Sequence, residues 1–339
     1  MVKKITSSII KTIKEEYKFL ITLILVTIIL NIPLNYYITI GGGISDISKR
    51  VEVEDKYESK GSFNLSYVTQ LDGNIMTCAL SYIIPSWERE DADNYKYNIE
   101  EKTSDIEFRS KIDLQSANST AIYWAYNLAG KEVKEKTRNL YVIGTSSDYD
   151  TSLKVKDEIL SIDGNHYDDV MEYVNYIQTK SKDDIVKVKV IRNKKEKEVE
   201  TKIYEKDGVK LIGVVLHNYI QYDTNPKIKV KFKSRESGPS AGLITTLEIY
   251  NQLTKKDITK GLKIAGTGTI QPDGTIGEIG GIEHKVKGAA SAKADIFLSP
   301  GGDNYKDVVK YAKEKKLKIK IIKVESIEDA LEKLEKIKG

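Results

Sequence analysis

Two stretches decide how this chain is read: Ser237-Gly-Pro-Ser-Ala-Gly242, and Gly277-Glu-Ile-Gly-Gly-Ile-Glu-His-Lys-Val-Lys-Gly-Ala-Ala290. An alternating strand, Lys227-Ile-Lys-Val-Lys-Phe232, runs into the first, and an apolar helical stretch, Leu243 to Leu253, runs out of it. Gly238 and Pro239 demand a tight turn, while Ala241 and Gly242 leave room for a backbone or a substrate to approach. Ser240 is therefore expected at the amino end of a helix, where unpaired N–H groups and the helix dipole stabilise a developing oxyanion. The plainer use of a serine at that place is as a helix N-cap.

A serine hydroxyl attacks a carbonyl only with a base beside it. The three histidines, His166, His217 and His284, lie far apart and none sits in a recognisable triad motif. Lysine serves as a base once burial disfavours its ammonium form. In the second stretch a glycine-rich turn feeds a small-residue helix that contains Lys285. Helical spacing puts Ile282, Lys285 or Val286, and Ala289 on one face, so Lys285 points inward, while Lys287 points elsewhere. Of 54 basic residues only six are arginine, so a lone lysine here is ordinarily a solvated charge. The pairing of the two motifs is what carries information.

Ser240 and Lys285 stand 45 residues apart. Between them lie Ile264-Ala-Gly-Thr-Gly-Thr-Ile270 and Gln271-Pro-Asp-Gly-Thr-Ile-Gly-Glu-Ile-Gly-Gly281, and beyond them Ala294-Asp-Ile-Phe-Leu-Ser-Pro-Gly-Gly-Asp-Asn304. In this order and spacing the motifs resemble the proteolytic domain of the Lon family, over about Lys227 to Leu334. The resemblance implies a serine–lysine dyad of Ser240 and Lys285. It implies supporting roles for Thr267, which hydrogen-bonds the lysine, and for Gly238 and Ala241 around the nucleophile. Two positions depart from the family pattern. Ser237, with Glu236 beside it, replaces an acidic residue of ATP-dependent Lon, and Thr269 replaces the glutamate of the T-G-E-I strand.

Upstream, Leu140-Tyr-Val-Ile143 reads as a strand, Leu153 to Asn165 as strand and turn, and Tyr167 to Thr179 as a helix. Ile185 to Ile191 and Glu196 to Ile203 read as a hairpin about Asn193-Lys194. This succession resembles a PDZ domain over roughly Tyr123 to Tyr204. Lys156 occupies a position where such domains often carry glycine, and no Gly-Leu-Gly-Phe loop is visible.

Phe19 to Ser45 contains no charged residue. The run from Phe19 to Leu30, extended by Ile32, Pro33, Leu34, Tyr36, Tyr37, Ile38 and Ile40, reaches the roughly 20 residues a helix needs to cross a bilayer. No small-x-small cleavage signal follows. The expectation is a single-pass anchor in the cell membrane. Five lysines before it against Lys49, Arg50, Lys56 and Lys60 after it slightly favour an inside amino terminus and an extracytoplasmic protease domain. Val51 to Ile84 reads as short strands, Trp87 to Ile112 as a charged connector, and Ser119 to Leu128 as a short helix.

The whole layout resembles bacterial membrane-anchored PDZ–Lon-type proteases. The expected fold class is α+β: a tail over 1–18, a transmembrane helix over 19–40 and a β-rich juxtamembrane region over 41–118. A PDZ-like domain follows over 119–205, then a Lon-type α/β proteolytic domain over 206–339. The net charge of +4 includes +3 in the first 18 residues, so the rest is near neutral, which argues against a nucleic-acid binder with its concentrated basic face. The single cysteine, Cys78, excludes an intrachain disulfide and a thiolate zinc site. No G-x-x-x-x-G-K-[ST] loop occurs. The reading is thus an ATP-independent serine endopeptidase that needs no cofactor or metal. It acts on protein or peptide substrates and, by resemblance to ring-forming Lon domains, is a candidate homo-oligomer. The alternatives are a catalytically silent PDZ/Lon-fold scaffold that binds proteins, and an acyl hydrolase that uses the same dyad on small esters.

Overall fold

The computed structural model describes residues 2–98, 100–233 and 236–337. The chain divides into two compact units, one of residues 1–41 and 69–95, the other of 42–68 and 96–339.

The first unit opens with helix α1, Val2–Leu30, followed by the strand Pro33–Asp46. Among the described residues no helix is long and apolar enough to cross a membrane. The expected transmembrane helix over 19–40, and with it the single-pass cell-membrane localisation, is therefore corrected. The reason lies at Pro33, which cannot continue a helix. Only Phe19 to Leu30 of the uncharged stretch is helical, about 18 Å at ~1.5 Å per residue against a hydrocarbon core of about 30 Å. The remainder is turn and strand, and Tyr36 to Thr39 pair antiparallel with Glu88–Asp91. Tyr36 and Tyr37, placed in sequence where an interfacial belt would fall, belong to that strand; Tyr37 meets Tyr95 edge-on at 5.2 Å. Ile75–Ile83 forms helix α2 instead of a strand. Its N-cap, Asn74, accepts from the Thr77 amide, and the Thr77 hydroxyl accepts from the Asn74 amide, a closed capping box.

The second unit is built on two main sheets, with three two-stranded pairings beside them among the described residues. In the larger, Lys320–Val324, Ile296–Pro300, Lys263–Gly266 and the first half of Ser62–Asn74 run parallel in that order. A parallel sheet of this kind must be covered on both faces, and it is. Phe63, Leu65, Ile264 and Leu298 pack with helix α5 (Gly242–Leu253) on one side. Ala265 and Phe297 pack with α6 (Ile282–Ser291) and α7 (Gly302–Glu314) on the other. Helix α8, Ile327–Lys336, closes the α5 side. The strand after Asn225 is shorter than its alternation suggested: Ile228–Val230 pairs with Val51–Val53.

The smaller sheet is antiparallel, ordered Val214–Asn225, Glu132–Thr145, Glu158–Ile162, Ile185–Arg192 and Lys195–Lys202. Helix α4, Val170–Gln178, buries Tyr173 and Ile177 against it. Asn193 and Lys194 both take positive φ, +53° and +62°, which matches the twist of a two-residue hairpin turn. Lys156, in the place where glycine was the expected residue type, adopts φ +80°. Its ammonium is held 2.9 Å from Asp105. Next to it Asp157, almost wholly buried, receives both arms of the Arg192 guanidinium at 2.7 and 2.6 Å.

A single helix, α3, runs Thr103–Leu128 and so joins the charged connector to the short helix read at Ser119 to Leu128. It serves both sheets. On the antiparallel side Phe108 meets Tyr141 edge-on at 6.0 Å, and the Ser116 hydroxyl lies 2.7 Å from His217 Nε2. On the parallel side the helix packs against α5, and the Tyr126 hydroxyl donates to the Pro226 carbonyl at 2.8 Å.

Candidate active site

Ser240 follows the turn at Gly238, whose φ of +84° is open to glycine at little cost and strained for other residues. The Gly238 amide donates to the Ser110 carbonyl of α3 at 2.9 Å, which ties the turn to that helix. The N-cap of α5 is Ala241, which has no side-chain cap bond. The capping role therefore does not fall to Ser240, and its hydroxyl, half-buried, has no hydrogen-bond partner among the described residues. Its carbonyl is held twice, by the Gly268 amide at 3.0 Å and by the Thr267 hydroxyl at 3.1 Å. The Leu243 amide returns a bond to the Gly268 carbonyl at 3.1 Å. Gly242 permits this approach: a Cβ there would lie 2.8 Å from the Ile270 amide nitrogen. No acceptor among the described residues takes the main-chain N–H of Ser240 or Ala241.

Lys285 projects from the first turn of α6. The N-cap of that helix, Gly281, has φ +66° and lies close against Val68, where a Cβ would stand 3.0 Å from the valine. The helix face foreseen from the spacing is the buried one: Ile282, Lys285, Val286 and Ala289 are all inside, whereas Lys287 is exposed. Lys285 is only 4% exposed. Its amine donates to the Thr267 hydroxyl at 3.2 Å. Burial alone pushes its pKa down from 10.5 to about 8, with no carboxylate opposing the shift. Thr267 is thus the joint of the site, accepting from the lysine amine and donating to the serine carbonyl. The predicted supporting residues fall together here: Thr267 between the two, Gly238 in the turn and Ala241 at the helix start.

Other contributors were not foreseen. Asn304, at the start of α7, accepts from the Ile279 amide at 2.9 Å and donates to the Ile279 carbonyl at 3.1 Å, clamping the glycine loop that launches α6. Glu278 of that loop accepts from the Asn304 amide at 3.0 Å, a carboxylate at a helix N-terminus. Trp124 of α3 packs on Gly274, where a Cβ would lie 2.7 Å away. Of the two departures from the family pattern, Ser237 is exposed and Thr269 accepts from the Gln271 amide group at 3.3 Å. Glu236 pairs with Arg50 at 2.5 Å. His284 is buried.

Residues 231–336 match the Lon protease (S16) C-terminal proteolytic domain, and residues 130–203 match the PDZ domain. The chain carries a Lon-type serine-protease domain and a PDZ domain. Over 94 residues it is 34% identical to a Lon protease of Aster yellows witches'-broom phytoplasma (strain AYWB), covering 28% of this chain and 12% of that protein. The chain thus matches about an eighth of the length of that curated relative. Among solved structures, it resembles the PDZ domain of the SdrC-like protein from Listeria monocytogenes. That match has 29% identity and a TM-score of 0.23, and covers 24% of this chain and 92% of that one. The corresponding PDZ domain from Listeria innocua matches with 30% identity, coverage of 23% and 93%, and a TM-score of 0.22. The Lon-type match begins in the strand before the Ser240 turn and ends in α8, so it contains Ser240, Thr267 and Lys285.

Proposed function

We propose that the chain hydrolyses peptide bonds of unfolded or flexible protein segments, without ATP, through Ser240 and Lys285. The observation that carries this reading is a buried amine with no acidic partner and a pKa near 8, joined through one hydroxyl to the main chain of Ser240. A structural lysine gains nothing from such a place, because desolvation of its charge is uncompensated. A base gains a working pKa.

In the proposed cycle the Ser240 hydroxyl attacks the scissile carbonyl carbon as its proton passes to the lone pair of Lys285 Nζ. The carbonyl electron pair moves to oxygen, and the N–H groups of Ser240 and Ala241 at the head of α5, which no acceptor among the described residues takes, stabilise that charge. Collapse breaks the C–N bond, and the Lys285 ammonium gives its proton to the departing amine. A water molecule then attacks the acyl ester with Lys285 again accepting a proton, which releases the acid and restores Ser240. The sequence holds no phosphate-binding loop, in keeping with substrates that need no unfolding. The PDZ domain is proposed to bind peptide or protein segments and present them to the protease domain.

The test is degradation of an unfolded protein in the absence of ATP by the wild type, Ser240→Ala and Lys285→Ala. The expected result is turnover by the wild type alone. Equal degradation by the wild type and Ser240→Ala would sink the reading, and turnover of small esters without any polypeptide cleavage would replace it with an acyl hydrolase.

A further inference from the structure

A neutral amine that takes a proton from a serine must aim its lone pair at the hydroxyl, which leaves two N–H groups to be accepted inside a dry pocket. Thr267 accepts one. Its own proton is committed to the Ser240 carbonyl, so it has no further donor role to play there. A second acceptor is required, and after proton transfer the ammonium needs it more, because hydrogen bonds to a charged group are the stronger ones.

Ser66 is the candidate, although it makes no hydrogen bond to Lys285 in this structure. It is 0% exposed, and its hydroxyl oxygen is buried with no hydrogen-bond partner. Native proteins seldom leave such a group unmatched, and those that persist call for an explanation. Its position follows from register. Leu65 pairs with Gly266 in the parallel ladder, so Ser66 stands one step on, beside Thr267. Side chains alternate along both strands. Phe63, Leu65 and Ile264 face α5, and Ala265 faces α6. Ser66 and Thr267 therefore share the α6 face, from which Lys285 descends. Two residues further along the same face, Val68 touches Gly281, the residue that starts α6. The strand bearing Ser66 lies outside the segment matched by the proteolytic domain, so nothing in that match assigns it a role.

We propose that Ser66 is a positioning residue for Lys285: its hydroxyl oxygen, unpartnered in this structure, accepts the amine N–H that Thr267 does not when the amine turns its lone pair to Ser240. The proposal rests on the dyad reading above. It acts on the protonated lysine more than on the neutral one, so its loss slows the chemical step without weakening substrate binding.

The experiment uses the full chain and a fluorogenic peptide built from a cleavage site mapped in an unfolded protein. Ser66→Ala is expected to lower kcat about tenfold with KM nearly unchanged. It should also move the acid limb of the pH–rate profile down by about one pH unit, since the ammonium loses an acceptor. Ser66→Thr, which keeps the hydroxyl, should restore the wild-type limb. Ser66→Cys, close in size but a poor acceptor, should behave like the alanine variant and keeps the test decisive if alanine disturbs folding. Unchanged kcat and acid limb in both Ser66→Ala and Ser66→Cys, with an active wild type, would overturn the proposal and leave the dyad intact. Equal impairment of the Thr and Ala variants would also overturn it, because packing rather than the oxygen would then be at work. Loss of the dyad reading itself would appear separately, as activity that survives Ser240→Ala.

Discussion

Replacing Lys285 by methionine should abolish activity and stabilise the fold. The lysine stem is already inside, beside Ile282 and Val286, and methionine keeps a similar length without the amine. Burial takes the amine from 10.5 to about 8. At about 1.4 kcal/mol per tenfold change in proton affinity, the folded protein carries a penalty of about 3 kcal/mol at neutral pH, where the lysine is mostly charged in both states. The sign follows from proton counts. Between pH 8 and 10.5 the unfolded chain holds the proton that the folded chain has released, so wild-type stability rises across this window. Lys285→Met has no such proton. Its advantage should be full below about pH 8, on the order of 3 kcal/mol, and should shrink steadily until about pH 10.5. For a domain of this size that corresponds to a rise in Tm on the order of 6 °C or more at pH 7. Denaturant unfolding of both proteins from pH 6 to 10 measures it. A methionine variant less stable than the wild type at pH 7, or a difference that does not change between pH 7 and 10, would refute a desolvated, unpaired amine.

Thr267→Val removes the acceptor of Lys285 and the donor to the Ser240 carbonyl at nearly constant volume. The expected loss in kcat is about ten- to a hundredfold, with Thr267→Ser close to wild type; steady-state kinetics on a peptide substrate decide it. Glu248, buried in α5 and hydrogen-bonded at 2.7 Å by Gln252, has its pKa pushed up to about 7 by burial. Its carboxylate thus destabilises the fold above pH 7 by about 3 kcal/mol, an effect that fades as pH falls to the ordinary carboxylate value of 4.5. Glu248→Gln should raise Tm at pH 8 and leave it unchanged near pH 4.5, as read by thermal melts across that range.

The turn before Ser240 and the burial of Lys285 were legible because each is a local pattern: glycine and proline in the one, a 3.6-residue spacing in the other. The hairpin at Asn193-Lys194 was legible for the same reason. The amino-terminal region was not. An apolar run counted by hydropathy alone ignores that Pro33 ends the helix three residues after Leu30. Helix α2 is rich in Ile, Thr, Tyr and Cys, which favour strands, and only the Asn74–Thr77 capping pair announced it. Helix α3 hides its length because its first half is charged; Asp105 and Arg109 find partners that no local pattern reveals, in Lys156 and Glu101. Asn304 was invisible for a related reason: its bonds to Ile279 join a helix start to a loop 25 residues earlier, which no local pattern announces.

If Lys285 removes the proton of Ser240, the serine carries the acyl group. Trapping that group reads the step itself. The wild type and Lys285→Met are mixed with an activated peptide ester, quenched within milliseconds to seconds at pH 6 to 9, and mapped by mass spectrometry. The expected result is an acyl mass on the peptide containing Ser240 in the wild type, forming at a rate that climbs through about pH 8, and no such mass in the methionine variant. An adduct on another residue, or acylation of Ser240 at the wild-type rate when Lys285 is methionine, would contradict it.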